Sequence, residues 1–198
     1  MAWRVSVDIK EFPKKFDYRP DQSGQMGDIE QTEPKLTPDQ VPSRVTISGK
    51  VSECALFVMA FGGGQWIVSQ RFRDLVEALE PNVHNWLPTD LFWSNGQPLP
   101  EPYYFLQPGQ SLDTVIFERS FFTSGVSTTG EHYVVFPVTS HLMTFDKRKI
   151  NGKHLWKEYY AGYQDTFFSD ELVNELKKIR FKKCFELLEC REEVGNDG

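Results

Sequence analysis

Hydroxyl, carboxylate and imidazole side chains come together in STTGEH, residues 127–132, which is the most enzyme-like stretch of the sequence. A general base beside a hydroxyl can activate that hydroxyl as a nucleophile. Glu131 and His132 are adjacent, however, and adjacent side chains on a strand point to opposite faces. We therefore interpret the stretch as a polar loop, and we keep a small enzyme that uses Glu131 and His132 as an alternative.

Other residue types that could do chemistry lack the spacing that the chemistry requires. The histidines are scattered and form no H-x-x-x-H or H-E-x-x-H pattern, so we predict no metal site and no cofactor. No Gly-Lys-Ser/Thr sequence follows the triple glycine at 62–64, which therefore predicts a tight turn and not a phosphate site. Ser69 and Ser169 lie outside any G-x-S-x-G pattern, and we predict no catalytic residue in the chain.

Ser69 and Ser169 instead precede two similar helical patterns. Apolar residues follow each serine at spacings of three and four, which predicts amphipathic helices over residues 70–79 and 170–179. Serine is a favoured N-cap, so we expect both serines to cap these helices. The two apolar stripes consist of Phe72, Leu75, Val76 and Leu79, and of Leu172, Val173, Leu176 and Ile179.

Short strand-like stretches flank both helices. QWIV and NWLPTDLFW surround the first helix, and DTFF and KCFELLEC surround the second. The apolar runs CALFVMAF and SLDTVIFERSFF also predict extended structure, and Asn151-Gly152 predicts a hairpin turn. We thus predict an α+β fold of mixed, mainly antiparallel sheets with two capped helices. The similar segments indicate either an internal strand-helix-strand duplication or two unrelated helices of one common type.

Length and composition are typical of a globular protein. The chain has 198 residues, of which 39% are hydrophobic and 25% are charged. We expect an N-terminal half over residues 1–110, with a polar loop at 17–44, and a C-terminal half over 111–198, packed as one compact unit. The sequence shows no apolar run of about 20 residues and no signal peptide, so we predict a cytoplasmic protein that contacts no membrane.

The cysteines and the net charge argue against two further classes of protein, those held by a disulfide framework and those that bind nucleic acid. Cys54, Cys184 and Cys190 are odd in number and widely spaced, which argues against a disulfide framework, and we expect all three to be reduced. The net charge of −6 disfavours nucleic acid as the principal ligand and suits a basic partner.

One stretch near the second helix combines aromatic and acidic side chains. HLWKEYYAGYQDTFFSDE lacks a clean helix or strand period, and tryptophan and tyrosine dominate the hot spots of protein–protein interfaces. Core packing is the competing use of these rings. We predict a partner-binding surface that consists of Trp156, Tyr159, Tyr160, Tyr163, Asp165, Asp170 and Glu171.

The order of several segments resembles a known family. IVSQRFRDLVEALEPNVHNWLPTDLF, then YYFLQPGQSLD, then INGKHLWKEYYAGYQDTFFSDELVNELKKIRFKKCFELLEC make residues 41–190 similar to immunity protein family eleven of bacterial polymorphic toxin systems. The resemblance implies a cytoplasmic protein, typically encoded beside a toxin delivered by type VI or related secretion, that binds the toxin and blocks it. A glycine often precedes the last strand in that family, whereas this chain has IRFKKCF at the link.

A stoichiometric inhibitor needs a complementary surface and not a reaction centre, so the residues and the resemblance both favour a toxin-binding protein. Two alternatives belong to other classes. One is a small enzyme, either a hydrolase or an enzyme that reverses the toxin's modification. The other is a self-associating adaptor, which would form a homodimer.

Overall fold

The computed structural model describes residues 1–7, 16–17, 35–47, 52–61, 65–126, 132–135, 143–159 and 165–195, and the α+β fold is confirmed. In chain order the elements are β1 (Ala2–Val7), β2 (Phe16–Asp17), β3 (Arg44–Ile47), α1 (Glu53–Phe57), β4 (Val58–Phe61), β5 (Gln65–Ser69), α2 (Gln70–Leu79), β6 (Asn85–Trp93), β7 (Tyr103–Gln107), β8 (Ser111–Leu112), β9 (Thr123–Val126), β10 (His132–Val135), β11 (Thr144–Asp146), α3 (Lys147–Ile150), β12 (Leu155–Glu158), β13 (Thr166–Ser169), α4 (Asp170–Lys178) and β14 (Phe185–Glu193). Short 3-10 turns lie at Pro38–Gln40, Phe117–Arg119 and Lys182–Cys184.

The described strands form two six-stranded sheets, and β9 and β10 pair as a separate two-stranded sheet. The first sheet has the order β2-β3-β6-β7-β5-β4, and the second has the order β11-β14-β1-β13-β12-β8. Parallel pairs occur only between β3 and β6, β11 and β14, and β12 and β8 among the strands described here, so both sheets are mixed and mainly antiparallel, as predicted. β1 belongs to the sheet that the C-terminal half mainly builds. The division of the chain at residue 110 stays a prediction.

The second sheet curls until its two edges meet. β8 lies beside β12 at one edge, and the chain then crosses to β11 at the other edge, where Val115 bridges Phe145. The Asp146 N–H donates to the Thr114 carbonyl at 2.7 Å in the same contact. The curled sheet therefore encloses a core of its own, which consists of Ala2, Val115, Met143, Phe145, Ile150, Trp156, Phe167 and Cys190.

The two long helices lie between the sheets and contribute to a central core. Phe72 on α2 and Leu172 on α4 are fully buried in this core, together with Val68 and Phe168 from the strands that precede the helices. Because neighbouring side chains of a strand point to opposite faces, Ile67 instead packs in the core of the first sheet. Both sheets thus bury apolar surface against the same pair of helices.

A serine begins each long helix. Ser69 Oγ accepts a hydrogen bond from the Phe72 N–H at 3.4 Å, and Ser169 Oγ accepts one from the Leu172 N–H at 3.1 Å. These bonds satisfy backbone donors that have no acceptor inside a helix. α2 spans the predicted residues 70–79, and α4 ends one residue before its predicted end.

Two extended segments were predicted wrongly. CALF forms most of α1, because Ser52 Oγ accepts from the Ala55 N–H at 3.2 Å and the helix turns Cys54 and Phe57 inward. SLDTVIFERSFF holds β8, the bridge at Val115 and a 3-10 turn, and not one continuous strand. In both cases tertiary contacts override an apolar run that is equally compatible with a strand.

The turn at Asn151–Gly152 exists, but the predicted hairpin is wrong. Asn151 is the left-handed C-cap of α3 with φ of 40°, and Gly152 follows with φ of 73°. The flanking strands β11 and β12 lie at different places in the second sheet and do not pair. Asn-Gly therefore serves here as a helix end, a role in which positive φ is equally required. The predicted turn at 62–64 and most of the predicted loop at 17–44 lie outside the described residues.

Two of the three cysteines are paired. Cys54 of α1 and Cys184, just before β14, form a disulfide with their Cα atoms 5.0 Å apart, so the prediction of reduced thiols is wrong for this pair. Their separation of 130 residues hid the pairing, because only the packing of α1 beside the 182–184 turn brings them together. Cys190 is free and buried, and its burial raises the pKa of the thiol to about 12.

The link from α4 to β14 carries a left-handed arginine where glycine is usual. Arg180 has φ of 63°, its N–H donates to the Lys177 carbonyl, and the Phe181 N–H donates to the Leu176 carbonyl at 3.0 Å. This is the Schellman pattern, in which glycine avoids the strain of a Cβ atom. We expect Arg180→Gly to raise the free energy of unfolding by about 1 kcal/mol in urea denaturation. Arg180→Ala retains the Cβ atom and should give no such gain; an equal gain from both variants would contradict the explanation.

Candidate functional site

Trp156 lies in the core and not on the predicted surface. Its side chain is 0% exposed and stacks on Phe167, which faces it across β12 and β13, with ring centroids 5.8 Å apart. A fully buried ring cannot contact a partner, so Trp156 does not belong to a binding surface in this conformation. The sequence could not show that Trp156 lies in the core, because all four residues of β12 are buried, including Lys157 and Glu158, and no alternation of polar and apolar residues marks an inward face.

Tyr159 and Asp165 lie at one end of β13. The Tyr159 side chain follows β12 and is 52% exposed. Asp165 accepts a hydrogen bond from the Arg4 guanidinium of β1 at 2.9 Å, and both side chains of this ion pair are about one-fifth exposed, at 20% and 19%. Tyr160 and Tyr163 lie outside the described residues.

Asp170 and Glu171 lie at the other end of β13, at the start of α4. Asp170 Oδ1 accepts from the indole N–H of Trp3 at 2.9 Å. The Glu171 side chain is 64% exposed, and its carboxylate lies 3.8 Å from Nε2 of His154. The structure therefore divides the predicted surface into two groups, and it adds Trp3 and His154 to the second group.

His154 and Ser169 form the contact that most resembles catalytic geometry. Nδ1 of His154 lies 2.8 Å from Ser169 Oγ, and Glu171 lies on the far side of the ring. Ser169 Oγ already accepts the Leu172 N–H as the helix cap. The His154 imidazole thus orients the hydroxyl that caps α4. This arrangement fits a structural role for Ser169 better than a role as an activated nucleophile.

The STTGEH stretch lies almost entirely outside the described residues, and only His132 enters a described strand, where it opposes Val126. The prediction of loop chemistry there stays untested. Within the part of the chain that the structure describes, no three histidine, cysteine, aspartate or glutamate side chains lie together in a way that could hold a metal ion.

A buried polar network that the sequence did not predict joins α2 to the second sheet. Glu80, at the end of α2, accepts from His84 Nε2 at 3.1 Å, from the Leu155 N–H at 2.9 Å and from Gln110 Nε2 at 2.6 Å. The Gly109 N–H donates to His84 Nδ1 at 3.1 Å, so the proton of a neutral imidazole lies on Nε2 and points at Glu80. The signal in the sequence was weak, because these residues come from three distant segments.

Hydrogen bonds keep the Glu80 carboxyl ionised despite its burial. Burial alone raises the pKa of this carboxyl, but the bonds from His84, the Leu155 backbone and Gln110 outweigh burial and hold the pKa below its ordinary value. A buried carboxylate with every oxygen bonded is a structural element and is closed to any partner.

Lys157 and Glu158 are adjacent buried ionisable residues on β12. Burial lowers the pKa of Lys157 to about 8, and the charge of Asp165 partly opposes this. Burial also raises the pKa of Glu158 to about 7, although the Thr114 N–H and hydroxyl donate to its carboxyl at 2.9 and 2.7 Å. Both groups therefore hold less charge near neutral pH than exposed groups of their type would.

Glu158 should make stability depend on pH. Its folded-state pKa exceeds the ordinary value of 4.5, so the folded protein binds more protons than the unfolded chain between about pH 4.5 and 7, and stability falls as pH rises through this window. Glu158→Gln can keep both contacts with Thr114 but cannot ionise. Between pH 5 and pH 7.5 the free energy of unfolding of this variant should fall by about 2 kcal/mol less than that of wild type, as measured by urea denaturation. Glu186→Gln, on the exposed part of β14, is the control; equal profiles for wild type and Glu158→Gln would contradict the role of Glu158.

The chain is similar to one known protein family over most of its length. A model of the Imm11 immunity protein family matches residues 8–190 of the chain. The chain matches no curated protein.

Among the described residues, no helix has the length and apolar content needed to cross a membrane.

Proposed function

The chain belongs to the Imm11 immunity protein family, and on this basis we propose that it binds a cognate bacterial toxin one to one and neutralises it. The match over residues 8–190 is the observation that carries this proposal. Of the described residues, the two arrangements closest to an active site, His154–Ser169 and the Glu80 network, both have structural roles, which favours binding over catalysis. We propose that the protein works without catalysis, cofactor, nucleic acid or membrane.

The proposed setting is the bacterial cytoplasm, with a toxin of a polymorphic system such as one delivered by type VI secretion. Cytoplasmic thiol buffers keep most cysteines reduced. In that compartment the Cys54–Cys184 disulfide of the structure would be the oxidised form of a pair that is otherwise two buried thiols. The fold would then rest on the apolar central core around this pair.

We propose the start of α4 as part of the toxin-binding surface. Glu171 is exposed, Asp170 lies beside it, and the Trp3 indole that bonds Asp170 supplies an aromatic edge. Together with the net charge of −6, these carboxylates favour a basic patch on the toxin. Tyr159 and Asp165, at the far end of β13, are a second part of the proposed surface.

Charge reversal at the start of α4 should weaken the complex. We expect Asp170→Lys with Glu171→Lys to raise the Kd for the toxin at least about tenfold, mainly through a slower association rate that depends on salt. Calorimetry and stopped-flow mixing would measure both quantities. The matched control is Glu53→Lys with Glu118→Lys, which changes net charge equally at two exposed positions elsewhere. An unchanged Kd, or an equal loss in the control, would discard this part of the surface.

Co-expression tests the function itself. The products of neighbouring genes should be expressed singly and then together with this chain in bacteria. We expect one product to arrest growth when expressed alone, and this chain to restore growth and to co-purify with it. Restored growth without any complex would contradict neutralisation by binding and would favour an enzyme that reverses the toxin's modification.

A further inference from the structure

Each six-stranded sheet is built around the same arrangement of strands. In the first sheet, β5 and β6 are joined by α2 and lie on either side of β7. In the second sheet, β13 and β14 are joined by α4 and lie on either side of β1. We infer that the chain consists of two equivalent units fused in sequence. The sheet of each unit has a gap between two of its strands, and the first strand of the other unit fills this gap in antiparallel orientation.

The registers of the two central strands agree. Tyr103 of β7 faces the capping Ser69 on one side and Thr89 on the other. Ala2 of β1 faces the capping Ser169 on one side and Cys190 on the other. A slip of one residue would turn every side chain of a strand to the opposite face, so a central strand that places a residue opposite the capping serine in both sheets is a specific coincidence.

A side-chain contact repeats at the next position of each central strand. The Tyr104 hydroxyl donates to Gln70 Oε1 at 2.5 Å, and the Trp3 indole N–H donates to Asp170 Oδ1 at 2.9 Å. Gln70 and Asp170 are the first residues of α2 and α4. An aromatic donor on the inserted strand thus contacts the start of the long helix in both sheets, although the residue types differ.

The outer parallel strands also correspond. β3 runs parallel to β6, and the Asp90 N–H donates to the Ser43 carbonyl at 2.8 Å. β11 runs parallel to β14, and the Arg191 N–H donates to the Met143 carbonyl at 2.9 Å. A short helix, α1 or α3, follows each of these outer strands and precedes β4 or β12.

The chain order defines the units. Residues 8–43 separate β1 from β3, and residues 108–143 separate β7 from β11, so the two connecting segments have equal length. Their contents differ, because the first segment holds β2 and the second holds β8, β9 and β10. Each unit therefore reads as strand, long connection, strand, short helix, two strands, long helix and strand, over residues 2–93 and 103–193. Its first strand lies in the sheet of the other unit, which is the geometry of a strand-exchanged dimer joined into one chain.

The exchanged arrangement and an arrangement without exchange pair β1 with different strands. In the structure Val5 of β1 opposes Thr166, and Leu106 of β7 opposes Trp66. If each first strand stayed in its own unit, Val5 would take the place of Leu106 and oppose Trp66. The two arrangements are distinguishable by cysteine crosslinking, because opposed residues of antiparallel strands lie within reach of a disulfide.

The test uses the full chain with its native cysteines. Val5→Cys with Thr166→Cys is compared with Val5→Cys with Trp66→Cys, and Val5→Cys alone is the control. After mild oxidation, non-reducing gels and peptide mass mapping should show a crosslink within single chains in most molecules of the first variant and in few of the second. Val5 and Trp66 both lie in the central core, so the yields of the two crosslinks are compared. A crosslink within single chains at Val5 and Trp66 in more molecules than at Val5 and Thr166, or a crosslink at Val5 and Thr166 that appears only between two chains, would overturn the inference.

Discussion

Replacement of Glu80 by alanine will lower the free energy of unfolding by about 3–5 kcal/mol, because it removes the acceptor of a fully buried network. His84 Nε2, Gln110 Nε2 and the Leu155 N–H would all lose the carboxylate to which they donate. A buried donor without an acceptor loses the hydration of the unfolded state and gains nothing in return. Because the network joins α2 to β12, the loss should also loosen the contact between the two sheets. Urea denaturation followed by tryptophan fluorescence would measure the change.

Two further variants make the Glu80 prediction specific. Glu53→Ala removes an exposed carboxylate whose ion pair with Lys183 spans 3.9 Å, and it should change stability by less than about 1 kcal/mol. Glu80→Gln keeps the shape of the side chain but not its charge, and it should give an intermediate loss. A loss of under about 1 kcal/mol in Glu80→Ala would mean that the network contributes little to the fold.

Reduction of the Cys54–Cys184 disulfide should lower the free energy of unfolding by about 2–4 kcal/mol. The bond joins residues 130 positions apart, so it restricts the unfolded chain strongly. It also links α1, which follows β3, to the turn before β14, and thus joins elements that flank the two sheets. Urea unfolding with and without dithiothreitol measures the effect directly.

The double variant Cys54→Ala with Cys184→Ala separates the disulfide from other effects of the reductant. It should unfold near the midpoint of the reduced wild type, and dithiothreitol should not change it further. Cys190 is buried and free, so it should not contribute to the difference. An unchanged wild-type midpoint on reduction would contradict a stabilising disulfide.

Local patterns predicted the elements whose side chains follow one clear period. The stripes after Ser69 and Ser169 predicted α2 and α4 to within one residue, because three- and four-residue spacing is a strong signal of an amphipathic helix. NWLPTDLFW alternates well enough to predict β6 over its full length. The family resemblance over residues 41–190 agrees with the family match over 8–190.

Features that depend on distant contacts could not be predicted in the same way. The insertion of β1 between β13 and β14 joins the two ends of the chain, and no local pattern specifies such a pairing. The same applies to the Cys54–Cys184 disulfide and to the Glu80 network. Trp156 shows why binding residues are harder to predict than helices. Its residue type suggested an interface hot spot, whereas its position on β12 places the ring in the core.

Isothermal titration calorimetry of the purified chain with the purified neighbouring toxin measures the proposed neutralisation by binding without any cellular readout. We expect one site per chain with a Kd of about 10 nM or tighter, as stoichiometric inhibition requires. A toxin that shows no heat of binding and no complex on gel filtration at concentrations of about 10 μM would mean that the chain does not act by binding.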